Sequence, residues 1–305
     1  MDPLIIVFGL GVGLLVGLTG MGGGSLMTPL LILVFGVKPV VAVGTDLAYA
    51  SVTKTVGGWK HFRQKTVDTS LALWMAIGSV PAAIVGVYVL EAVERAYGDS
   101  FDELLLAVLA GALLFTGVAV LARSLFLPKL VERERESFVL ERKHKISAIV
   151  VGVFVGFVLG VTSAGSGALI AVALILVFHL IPTRVVGTDV FHAAILLWAA
   201  ALAHVVAGNV DFALAGTILL GSVPGVWVGS HLSIRIPTAT LRTALGVVLV
   251  GAGLGLATKA GADVPAPLLA AVPIVLTIIV AVQLARQSGT RPPPAPPRPV
   301  IQPER

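Results

Sequence analysis

The sequence predicts an all-α, polytopic transmembrane bundle. It contains two inverted repeats, each a broken or re-entrant glycine-rich hairpin plus three spans, and one extra C-terminal span. Three observations carry this prediction. Of the 305 residues, 57% are hydrophobic before 34 glycines are counted, and only 12% are charged. A water-soluble domain is about 25% charged, so this chain cannot clothe a surface in water. Its mean hydropathy is +1.00. Apolar segments approach the roughly 20 residues that a bilayer crossing requires and recur along the chain. Finally, the sequence matches itself: shifted by 143 residues, 6–86 aligns with 149–229 without a gap, and about 32 of 81 positions are identical. A soluble enzyme, a disordered chain and a nucleic-acid binder are thereby excluded, and the net charge of +5 is no nucleic-acid footprint.

The apolar segments fall at 4–19, 25–36, 40–57, 69–90, 102–126, 147–162, 167–180, 183–207, 212–233, 239–258 and 266–286. Segments 25–36 and 167–180 are too short to span comfortably. Each follows a glycine-rich break, Gly20-Met21-Gly22-Gly23-Gly24-Ser25 or Ser163-Ala164-Gly165-Ser166-Gly167. Each therefore reads as the second arm of a broken hairpin, because non-helical backbone at membrane depth must pack in protein or line a cavity. The repeat fixes the domain organisation. An N-terminal transmembrane repeat occupies 1–127 and a charged linker 128–146. The inverted C-terminal repeat occupies 147–258, an additional helix lies in 259–288, and a proline-rich, unpacked tail fills 289–305. Paired landmarks include Gly44-Thr45-Asp46 with Gly187-Thr188-Asp189, Val67-Asp68 with Val210-Asp211, and Gly78-Ser79-Val80-Pro81 with Gly221-Ser222-Val223-Pro224.

Loop charge gives orientation. The loop near 58–66 carries Lys60, Arg63 and Lys65, whereas its counterpart near 203–209 carries no Lys or Arg. The loop near 91–103 is acidic, and its counterpart carries Arg235 and Arg242. By the positive-inside rule the halves face opposite ways. The linker and C-terminal tail are then cytoplasmic and the N-terminus outside, with Lys38 alone against the rule. The start, Met1-Asp2-Pro3, lacks a basic region and reads as no signal peptide. Cysteine is absent, which removes disulfides, thiolate metal sites and Cys nucleophiles. No HExxH, GxSxG or GxxxxGK[ST] motif occurs, so neither catalysis, nor a metal, nor a cofactor is expected.

Inverted halves meeting at broken helices are the architecture of alternating access. Glycine turns at helix N-termini present backbone N–H groups to an anion. A small anionic substrate is therefore expected between Thr19, Gly20, Met21, Gly22, Gly23, Gly24, Ser25 and Thr162, Ser163, Gly165, Ser166, Gly167. Thr45 and Thr188 are added as lining residues. Tyr49 and His192 share a helix face with the two aspartates and join them. Asp46 and Asp189 are charges inside the membrane and by default functional. Burial favours the neutral carboxyl, so they are assigned proton coupling. The glycines Gly9, Gly13, Gly17 and their partners Gly152, Gly156, Gly160 read instead as a helix-packing stripe. Lys54 is expected to snorkel to the interface rather than face the anion path. His61 is expected in solvent and His204 near the outer surface. Trp59 and Tyr88 read as interface anchors.

The residues Gly17-Leu18-Thr19-Gly20-Met21-Gly22-Gly23-Gly24-Ser25-Leu26, Pro29 and Ala42-Val43-Gly44-Thr45-Asp46-Leu47 form a signature, with Val67-Asp68 and the stretch from Gly78 to Gly86. Together they resemble the TauE/SafE sulfite exporter family, over roughly 5–258. The resemblance implies a multi-pass cell-membrane permease for sulfite, related sulfur oxyanions or organosulfonates, with no ATPase subunit. The extra span and proline tail are additions to the family pattern, and its usual residue at the two aspartate positions is small, polar and neutral. The expectation is a secondary exporter of small anions. Its partners are the lipid bilayer and the anion, with homo-oligomer formation open and no nucleic acid. The alternatives are a cation- or proton-coupled permease with Asp46 and Asp189 as ligands, and a non-transporting membrane assembly partner.

Overall fold

Eleven helices follow one another in the computed structural model, which describes residues 3–19, 24–126, 140–164, 167–232 and 238–288. They are α1 (Pro3–Thr19), α2 (Gly24–Leu33), α3 (Pro39–Arg63), α4 (Thr69–Tyr97), α5 (Phe101–Phe126) and α6 (Arg142–Thr162). There follow α7 (Ala168–Leu176), α8 (Pro182–Val206), α9 (Phe212–Leu232), α10 (Thr238–Lys259) and α11 (Ala266–Ser288). Among the described residues four stretches are long and apolar enough to cross a membrane: Thr69–Ala122, Arg142–Thr162, Thr183–Val206 and Phe212–Gly229. The first of these is α4 and α5 together, divided by a single 3-10 turn at Gly98–Ser100.

Element ends follow local chemistry. Pro39 opens α3 and Pro182 opens α8, where a missing N–H costs nothing. Asp68 caps α4 by accepting the Leu71 N–H at 3.0 Å, and Asp211 does the same for Leu214 at 2.9 Å. Asp68→Ala and Asp211→Ala should each cost about 1 kcal/mol, read as an earlier melt in detergent. An unchanged melt would remove the caps from the account.

Three boundaries differ from the sequence reading. Helix α3 runs to Arg63, so Lys60 and Arg63 stand on its last turns and only Lys65 lies in the turn beyond. Helix α4 carries Glu91 and Glu94 on its own surface. Helix α6 begins at Arg142, so the end of the linker is helical. Apolar runs underestimate helices whose charged ends leave the hydrocarbon.

Packing crosses between the repeats. Helix α1 lies along α9, α6 along α4, α3 against α8 and α5 against α10. The glycine stripe makes this approach close. A Cβ on Gly9 would meet the Ile218 carbonyl and Ser222 N of α9, and one on Gly152 would meet the Met75 carbonyl and Ser79 N of α4. These are the same contacts shifted by 143 residues. The exchange recurs in hydrogen bonds: Asp68 N donates to Thr188 Oγ1 at 2.9 Å, and Asp211 N to Thr45 Oγ1 at 3.0 Å. Helix α11 packs on α10 and leaves Leu268, Ile274 and Ile278 exposed.

The glycine contacts also give direction. Gly44 faces His204 and Asn209 while Gly58 faces Val190 and Phe191, so α3 and α8 are antiparallel. Gly117 faces Gly246 and Val250 while Gly253 faces Leu114, so α5 and α10 are antiparallel too. Helix α4 runs parallel to α6, because Gly78 meets Ile149 and Gly86 meets Phe157. The C-terminal end of α3 and the N-terminal ends of α4 and α6 therefore share one end of the bundle. That end gathers Lys60, Arg63, Lys65, Arg142, Lys143 and Lys145. Glu91, Glu94, Asp99 and Asp102 fall at the other.

Candidate functional site

Among the described residues two carboxylates lie inside this bundle, each about two turns from the proline that starts its helix. Asp46 on α3 is fully buried and Asp189 on α8 is 3% exposed. Because α3 and α8 are antiparallel, Asp189 lies opposite position 59 of α3. At 1.5 Å per residue the two carboxylates are separated by roughly 20 Å along the bundle. They form two stations at different depths rather than one dyad.

Asp46 receives the hydroxyls of Thr28 on α2 and Ser163 at the end of α6, both on Oδ2, at 2.6 and 2.7 Å. Its Oδ1 has no hydrogen bond among the described residues. Ser163 has φ +57°, the left-handed conformation in which α6 stops, and the next helix starts only at Ala168. The first-half carboxylate is thus seated at the second-half break. Thr162 donates to the Val158 carbonyl at 2.7 Å and accepts the Ala164 N–H at 3.2 Å, which ties the turn back onto α6. Asp189 faces Lys54 Nζ of α3 at 3.9 Å. The partners are chemically unlike: the position equivalent to Lys54 is Leu197, and that equivalent to Thr28 is Ala171.

The other sequence candidates divide. Tyr49 is buried and its hydroxyl makes no hydrogen bond among the described residues. His192, at the equivalent position, is buried and shares a 2.9 Å hydrogen bond between Nε2 and Ser79 Oγ of α4. Thr45 and Thr188 are buried, and their oxygens accept the backbone N–H groups of Asp211 and Asp68. They lock each α3–α8 end to the turn of the other half, which is a packing role. Gly167 is buried and caps α7. Gly20, Met21, Gly22, Gly23, Gly165 and Ser166 lie outside the described residues, as do the side chains of Thr19 and Ser25.

Two expectations are corrected. Lys54 does not snorkel: it is 6% exposed, and α3 continues nine residues beyond it, about 13 Å. Its stem cannot reach the end of so long a helix. His204 is not at the outer surface but fully buried, donating from Nε2 to the Gly160 carbonyl at 2.9 Å. His61 is half-buried and bonds Thr66 Oγ1 through Nδ1 at 3.0 Å. Trp59 and Tyr88 are exposed. Sequence reasoning missed Thr28 and Ser79. Ser79 was signalled by the duplicated Gly-Ser-Val-Pro; Thr28 has no echo in the repeat and carried no signal.

Among the described residues this is an all-helical apolar bundle with ionisable side chains held inside it, beside a helix that breaks, and the architecture is that of an integral membrane protein. The comparisons with known proteins agree on that class. The sulfite exporter TauE/SafE family matches residues 5–256, and the chain belongs to it. The Bacillus subtilis probable membrane transporter protein YjnA is 41% identical over 256 residues, covering 84% of this chain and all of YjnA. The B. subtilis probable membrane transporter protein YunE is 26% identical over 81% of this chain and 94% of its own length. The Methanocaldococcus jannaschii probable membrane transporter protein MJ0441 is 28% identical over 55% of this chain and 59% of its own. No solved structure matches the chain significantly.

Proposed function

We propose that this protein is a multi-pass secondary transporter of the cell membrane that exports a small anion, sulfite or a related sulfur oxyanion or organosulfonate. It works by alternating access, with Asp46 and Asp189 carrying coupled protons. The observation that carries the reading is the antiparallel pairing of equivalent helices, α3 with α8 and α5 with α10. A two-fold axis along the membrane normal would leave equivalent helices parallel. An axis lying in the membrane plane reverses them, and that is the symmetry by which two halves can trade inward- and outward-facing shapes.

The paths of α6 and α8 support a re-entrant second hairpin. Both begin at the basic end of the bundle, so 163–181 has to return from the break to the end from which α6 set out. Lys60, Arg63, Lys65, Arg142, Lys143 and Lys145 at one end, against Lys38, Arg95 and Lys259 at the other, support a cytoplasmic linker and an external N-terminus. The antiparallel depth of the two aspartates supports two stations, one toward each face, with the glycine breaks contributing oriented amides beside them. Membership of the sulfite exporter family makes sulfite the first substrate to test.

Flux in proteoliposomes tests this. Sulfite, thiosulfate and sulfoacetate counterflow is expected, and divalent metal flux is not. Metal flux without anion flux would favour the aspartates as cation ligands, and no flux of either kind would favour an assembly role. Gly23→Val and Gly24→Val should each reduce anion flux at least tenfold with normal membrane insertion. Normal flux in both would reject the breaks as the binding region.

A further inference from the structure

The duplication keeps Gly-Thr-Asp in both halves but changes most of what surrounds it, and one of the departures is a buried charge. Lys54 stands where the second half has Leu197, which is fully buried. It is the only lysine or arginine that is buried among the described residues. It sits about 4 Å past the middle of α3, far from either end. Its ammonium carries three N–H donors, and Nζ makes no hydrogen bond among the described residues. The nearest carboxylate oxygen, Oδ2 of Asp189, is 3.9 Å away, an ion pair too long for a hydrogen bond.

A buried ammonium with unmade donors is costly, and a packed bundle that needed only to close this gap would use leucine, as the other half does. We propose that Lys54 is the cationic contact of the transported anion, and that Asp189 is the resident counter-ion the anion displaces. The inference rests on the anion-transport reading above and names the residue that recognises the substrate. The geometry selects the substrate class. A carboxylate already faces this ammonium, so the ligand that replaces it is another small oxyanion, able to take several N–H donors at one centre. Chloride offers no such set of oxygens. The offset is also functional. A single cation, on one half only and nearer Asp189 than Asp46, makes the two access states unequal in their hold on the anion.

The full chain in detergent and in proteoliposomes tests the proposal, with sulfite as the probe. The double variant Lys54→Met with Asp189→Asn removes both charges and keeps their volume. The reference is Asp189→Asn alone, which removes the coupling carboxylate and leaves the ammonium, and a merely structural ion pair predicts that the double variant matches this reference in its KM for sulfite and in its rise in melting temperature on adding sulfite. An anion contact predicts a KM raised at least tenfold and no rise in the melt, with membrane abundance near that of the unaltered chain. Retention of both signals overturns the role of Lys54. Where the double variant fails to reach the membrane, Lys54→Arg decides: a longer, planar head must shift the KM at least threefold, and an unchanged KM overturns the proposal. An unaltered chain neither stabilised nor crossed by sulfite, thiosulfate or sulfoacetate overturns the transport reading and this inference together. Anion flux in the unaltered chain with a double variant that matches Asp189→Asn in KM and melt overturns this inference alone.

Discussion

Gly156→Leu should leave almost no folded protein in the membrane. A Cβ at this position would lie 2.6 Å from the Ser79 Cα and 2.7 Å from its carbonyl carbon. The obstacle is backbone on the facing helix, so no rotamer relieves it. A retreat of α4 would also disturb its packing on α8, where Ser79 shares a hydrogen bond with His192. Excess methylenes in a packed interior cost about 1–3 kcal/mol where side chains can yield. Here the helices themselves must part, and the loss should exceed that range. Membrane abundance and the melt in detergent measure it. Gly111→Leu is the control, since a Cβ there meets nothing within 4 Å and the residue faces outward. Equal behaviour of the two variants would dismiss the glycine stripe as the reason α4 and α6 approach so closely.

Asp46→Asn combined with Asp189→Asn should uncouple anion movement from the proton gradient. One pH unit across the membrane is worth about 1.4 kcal/mol per proton, a tenfold concentration ratio for one-to-one coupling. With the membrane potential clamped, the unaltered protein should reach about that ratio and the double variant should reach none. The substitution spares the fold at Asp46. An amide oxygen still accepts the Thr28 and Ser163 hydroxyls, and the amide nitrogen falls where Oδ1 has no hydrogen bond among the described residues. Accumulation that persists in the double variant would assign the proton elsewhere.

The sequence revealed the parts of the fold that duplication writes twice. The 143-residue shift announced that Gly152 and Gly156 do for α6 what Gly9 and Gly13 do for α1, and the structure gives them matching contacts. Asp68 and Asp211 were visible as a pair, though their capping role emerged only with the helices that follow them. What stayed hidden was direction. A helix that is apolar on every side has no preferred face, so the pattern around Lys54 could not tell an inward head from a snorkelling one. Helix length decided it, and the apolar run had ended at 57 while the helix continues to Arg63. His204 was hidden for a related reason. It lies near a helix end, where exposure is the default, and it is covered by Gly44 of α3 and by the crossing of α8 past Gly160.

The exchange of helices between halves also constrains how the chain is made. Gly9 and Gly13 on α1 find their groove on α9, around Ile218 and Ser222. That groove is translated about 200 residues later, some 10–40 s at 5–20 residues per second. Throughout that interval α1 lacks the helix that covers its glycine stripe, and the N-terminal repeat cannot complete itself as an independent nascent unit. Assembly is therefore a late event, finished only after the ninth helix has left the translocon.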